Sequence, residues 1–172
     1  VPAEDSTLRD IRPVAAGPTP QWPRRAGVAV LAVLVLAGAL GLFGVRSSTV
    51  STSSNGYELT VTYPRISRAG LDSPWRAHVY CAGGLPQGLT IAVSSDYFRM
   101  FETQGFYPTA DSMTNDGQFV YFRFGDLRGT DFEMEYDAYI QPASQIGKSA
   151  TVEVIVDSQV VAKTSIDTWL VP

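Results

Sequence analysis

Residues 26–45, AGVAVLAVLVLAGALGLFGV, constrain this chain more than any other stretch: twenty positions without a charge. At 1.5 Å rise per residue a helix of that length reaches roughly 30 Å, the thickness of a bilayer's hydrocarbon core. Its glycines and β-branched valines weaken a helix in water. In lipid every backbone N–H must be satisfied within the segment, so the helical form is favoured regardless. Four arginines precede the run (Arg9, Arg12, Arg24 and Arg25) and only Arg46 closely follows it. The positive-inside bias therefore predicts a single-pass plasma-membrane protein with a cytoplasmic N-terminus and an extracytoplasmic C-terminal domain. Trp22 is placed to act as an interfacial anchor.

Two other readings compete. Ala37-Gly38-Ala39 has the small residues of a signal-peptide cleavage site, but the apolar stretch is longer than a typical signal core and continues past it. Arg24-Arg25 resembles a twin-arginine export signal, yet Gly27 and Val28 stand where bulky apolar residues belong. If the helix is retained, the small residues Ala37, Gly41 and Gly44 offer a surface on which another helix can pack.

The flanks divide the rest. Residues 1–25, rich in Pro, Ala and Arg, hold no apolar stripe able to bury itself and are expected to be a disordered cytoplasmic tail. Residues 46–56 are small and polar, RSSTVSTSSNG, and are expected to be a flexible linker. From residue 57 to 172 the period becomes two. YELTVTY puts Tyr57, Leu59, Val61 and Tyr63 on one side of a strand and Glu58, Thr60 and Thr62 on the other. Similar runs occupy 75–81, 89–94, 118–124, 132–140, 150–156 and 159–166, with a last piece at 168–171. Turn formers such as Asn115-Asp116-Gly117 and Asp157-Ser158 separate them. The pattern predicts an all-β fold, an antiparallel immunoglobulin-like sandwich of seven to eight strands behind one transmembrane helix. A short helix capped by Ser94, Ser95 or Asp96 is expected over 97–102, and a loop over 105–113.

The inventory of reactive side chains argues against an enzyme. The one Cys excludes an internal disulfide. Cys81 and His78, three apart on one strand, face opposite sides and cannot form a nucleophile–base pair. No ligand set for zinc, haem or iron–sulfur is present, no nucleophile elbow and no phosphate-binding loop, so no cofactor or metal is expected.

Two surfaces remain as candidates for interaction. Asp131, Glu133, Glu135 and Asp137 occupy alternate positions and so share one face of a strand, with neighbours about 7 Å apart. That spacing suits a solvated or partner-binding face better than a Ca2+ site, whose oxygens must converge to 2.3–2.6 Å. The second is aromatic: Tyr97-Phe98-Arg99-Met100-Phe101 with Gly105-Phe106-Tyr107-Pro108. These rings either close one end of the sandwich or present Phe101, Phe106 and Tyr107 to a protein or glycan. After residue 46 there are fourteen acidic and eight basic side chains, a net of −6, which excludes nucleic acid and speaks against anionic lipid headgroups as partners of the β domain.

The expected function is binding without catalysis: a tethered sandwich in the bilayer with a protein partner in or near the membrane, as an accessory or assembly subunit of a membrane or cell-envelope complex. The alternatives are an envelope module for a glycan or divalent cation and, behind it, a hydrolase using two carboxylates.

Overall fold

The computed structural model describes residues 21–41, 44–102 and 105–171. The chain falls into two compact units, 1–43 and 44–172. Most of the expected tail, residues 1–20, lies outside the described residues.

In the first unit, helix α1 spans Gln21–Ala39 and is long and apolar enough to cross a membrane. It starts five residues before the expected boundary and ends six before it. Pro23 is harmless in a first turn, where the missing N–H has no helical acceptor anyway. Arg25 also reaches back to the Gln21 side chain at 3.3 Å. At the other end Gly41 takes a left-handed conformation, φ +67°, and its N–H bonds the Gly38 carbonyl at 3.0 Å. A residue with no Cβ takes that conformation readily, and the helix stops there.

The second unit is a two-sheet antiparallel sandwich. The first sheet runs β1 (Arg46–Ser54), β2 (Tyr57–Arg68), β3 (Asp72–Cys81), β9 (Asp131–Ile140) and β5 (Phe101–Glu102). The short β6 (Phe106–Tyr107) also pairs with β9, and β12 (Trp169–Val171) pairs with β2. The second sheet runs β11 (Gln159–Asp167), β10 (Ser149–Val156), β4 (Gly88–Ser94), β8 (Phe119–Gly125) and β7 (Ser112–Asn115). All pairings are antiparallel except β12 on β2. The short helix expected over 97–102 is corrected: α2 is one turn at Ser95–Phe98, its N-cap Ser94 makes no side-chain cap bond, and Phe101–Glu102 form β5 instead.

The expected linker is corrected. Residues 46–54 form β1, paired with β2 through all nine of its residues. The turn explains it: Asn55 and Gly56 both have positive φ, 52° and 79°, the pairing of a two-residue type I′ hairpin. Val50 lies opposite Val61 on the core side. On the outer side Thr49 bonds Thr62 at 3.0 Å and Ser51 bonds Thr60 at 2.7 Å. The β domain thus begins before residue 57. Part of the expected loop at 105–113 also pairs into the sheets, as β6 and β7, which raises the strand count above eight.

The core lies between the sheets. Alternation puts Leu59 and Val61 of β2, Trp75, Ala77 and Val79 of β3, and Phe132, Met134, Tyr136 and Ile140 of β9 against Ile91, Val93, Phe122, Val152 and Val154 of the second sheet. Cys81 is half-buried, at the rim opposite Tyr57.

Candidate functional site

Strand β9 divides its chemistry by face. Phe132, Met134, Tyr136 and Ala138 are buried, and the four carboxylates of Asp131, Glu133, Glu135 and Asp137 project from the outer side of the sheet. Directly opposite residues of neighbouring strands point the same way, about 4.8 Å apart. Thr49, Thr62, Arg76, Glu135 and Tyr107 therefore form one row across β1, β2, β3, β9 and β6. The next row is Ser51, Thr60, His78 and Glu133, followed by Ser53, Glu58, Tyr80 and Asp131. The outer face is hydroxyl-lined over β1 and most of β2, with Glu58 at one end, and charged over β3 and β9.

Within the charged half, Arg76 Nε lies 2.9 Å from Glu135 Oε1 and His78 Nε2 lies 3.2 Å from Asp131 Oδ1. Asp131 also accepts the Thr130 hydroxyl at 2.6 Å. That hydroxyl points to the carboxylate and not to the imidazole, the reverse of what an activated nucleophile requires. Among the described residues Glu133, Asp137 and Asp72 have no ion-pair partner. No three His, Cys, Asp or Glu side chains among the described residues converge closely enough to hold a metal ion.

A shallow recess of about 540 Å³ lies at one end of this face, lined by Asp72, Pro74, Arg76, Tyr107, Glu135 and Asp137 among others. Tyr107 is 76% exposed, with its ring beside a carboxylate-rich floor. The recess can accept hydrogen bonds and positive charge, and offers an aromatic face for a cation or an apolar edge.

The aromatic candidate separates into its members. Phe101 is buried and Phe106 is turned into the sandwich, 4.4 Å by ring centroid from both Tyr136 and Phe122. Tyr97, Phe98 and Phe101 join the same cluster edge-to-face. Enclosure and the nearby Asp137 charge push the Tyr136 phenol up to about 12. There is no exposed patch of Phe101, Phe106 and Tyr107: Phe101 and Phe106 close the core, and Tyr107 alone joins the acidic face. The expected helix-packing stripe is also divided. Ala37 is on α1, Gly41 follows its end in a left-handed turn, and Gly44 belongs to the second unit.

Sequence reasoning found the carboxylates but missed Arg76, Asp72 and Pro74 as their neighbours. Only the register of β3 against β9 brings these together.

No family model matches the chain, and no curated protein does. Among solved structures it is similar to BslA, described as a bacterial hydrophobin, at 14% identity and a TM-score of 0.42. The likeness covers 72% of this chain and 97% of that one.

Proposed function

We propose that this is a non-enzymatic, single-pass membrane protein whose extracytoplasmic, immunoglobulin-like sandwich binds a protein partner in or near the membrane, as an accessory or assembly subunit. What supports the immunoglobulin-like type is strand order: β2-β3-β9 against β11-β10-β4 follows the A-B-E and G-F-C orders of that architecture. The arginine asymmetry around the apolar helix supports the topology. The observation that carries the binding reading is the outer face of β3 and β9. It is a broad charged surface whose carboxylates outnumber the basic side chains, Arg76 and His78, set against them, which suits a partner bringing Lys or Arg.

The test is a mild-detergent pulldown of the full-length protein beside two variants, one with an unrelated membrane span and one carrying Glu133→Lys and Asp137→Lys. A stoichiometric partner retained by the swapped helix and lost on charge reversal is the expected result. Absence of any stoichiometric partner from the unaltered protein overturns the reading. Exposed Tyr107 beside the carboxylates also favours a second reading, an envelope glycan in the recess. In that case Tyr107→Ala abolishes glycan retention and leaves the protein partner bound.

A further inference from the structure

The β domain as a whole is acidic, but the fold sorts its basic residues. Near the end of β2, Ile66 is flanked by Arg46 of β1 on one side and Trp169 of β12 on the other, and Arg68 lies opposite Val171. In the regular pairing of β12 with β2 opposite residues share a face, so Ile66, Arg68, Trp169 and Val171 occupy one corner of the first sheet's outer side, and Arg46 lies beside them at a register irregularity of β1 on β2. Arg65 sits at the register shift between them, where pairing passes from Ile66 to Pro64. All three arginines are exposed, and among the described residues none has an ion-pair partner.

Beside them lie the most exposed large apolar side chains of the domain's helix-linked end, Trp169 at 66% and Ile146 at 79%. The loop carrying Ile146 rests directly on β12. A Cβ on Gly147 would fall 1.9 Å from the Thr168 carbonyl oxygen, an approach only glycine allows. Ile146 and Trp169 thereby line one hollow of about 320 Å³. Its single carboxylate, Asp167, is already engaged by the Ser149 hydroxyl and the Trp169 indole N–H.

This is also the end at which the chain enters the domain. β1 begins at Arg46, with six residues of the chain between it and the last residue of α1, Ala39. We infer that the corner formed by Arg46, Arg65, Arg68, Ile146, Trp169 and Val171 docks on the surface of an anionic bilayer. The inference rests on the reading of α1 as a membrane anchor. Tryptophan belongs at headgroup depth, its ring apolar and its N–H satisfied, and guanidinium groups bond phosphate oxygens in pairs. Each basic residue at such a surface is worth about a fivefold preference for anionic over neutral lipid. The net acidity that argued against anionic lipid is an average over the domain, whereas in this corner three arginines stand beside one already engaged carboxylate, Asp167.

The test uses the full chain reconstituted into vesicles of brominated phosphatidylcholine, with or without brominated phosphatidylglycerol. In a Trp22→Phe protein, Trp169 reports contact with lipid, since Trp75 is buried. In a Trp169→Phe protein, Trp22 reports insertion of the helix. Trp169 emission quenched in the anionic vesicles, with the quenching lost in an Arg46→Gln, Arg65→Gln, Arg68→Gln variant, is the expected result. Trp22 quenched while Trp169 is not overturns docking and leaves the anchor standing. If neither is quenched, the anchor reading fails and docking falls with it. Undiminished quenching in the triple variant overturns an anionic surface as the occupant.

Discussion

Strand β9 and the segment from Tyr97 to Tyr107 are both dense in side chains of the kind that bind partners, and the fold uses them in opposite ways. β9 is regular, so alternation sends Phe132, Met134 and Tyr136 inward and its four carboxylates outward. The other segment is one turn of helix and two short strands, with no period to divide it. Tyr97, Met100 and Phe101 go fully inside, Phe98 and Phe106 pack behind them, and Tyr107 alone is well exposed among the rings. Aromatic density off a regular strand marks the place where the sandwich closes, whereas charge at every second position marks a surface.

The contrast can be broken most forcefully at Phe101. Truncation to Ala removes a buried ring 5.3 Å from Tyr97 and 5.6 Å from Tyr136, and should cost about 3–5 kcal/mol in denaturant unfolding. A loss below about 1 kcal/mol would return this ring to the surface. Tyr136→Phe keeps the ring but removes a 2.9 Å bond from its hydroxyl to the Glu102 carbonyl, an expected loss of about 1 kcal/mol.

The same phenol sharpens the contrast through pH. Its folded pKa is raised, so its contribution is complete below the ordinary tyrosine value of 10.0 and is lost as pH rises toward about 12. Buried Tyr97 is shifted in the same direction, with desolvation the main cause. Thermal melting across that alkaline window should show a fall that Tyr136→Phe reduces. On the outer face the effects shrink. Glu135→Gln breaks an exposed pair with Arg76 and should change stability by about 1 kcal/mol or less, screened by salt. Tyr107→Ala should stay within about 0.5 kcal/mol, and a larger loss would mean the ring is structural after all.

Seven of the long strands were legible from alternation and turn residues because both signals are local. β1 was not, since its only core-facing apolar residue is Val50 and its polar composition reads as a tether. The signal that identifies it is Asn55-Gly56, the strongest short hairpin signature a chain can carry, standing just before a clear strand. At the acidic face the four carboxylates were legible and their neighbours were not. Arg76 meets Glu135 only through a pairing of strands some sixty positions apart in the chain. The arginine corner is more distant still, because Arg46 and Trp169 are brought to Ile66 by strands from the two ends of the domain. Net charge, an average over the domain, erased that segregation.

The β1–β2 hairpin also fixes how the domain would bear mechanical load. A pull applied at Arg46 along the strand axis, with the rest of the domain held, slides β1 lengthwise against β2. All nine paired positions then resist together, where a pull from the hairpin end would open them one at a time. The hydroxyl pairs Thr49–Thr62 and Ser51–Thr60 add two side-chain bonds across the sliding line. What reads in sequence as a slack tether is, in the folded molecule, a paired strand that meets such a pull in shear.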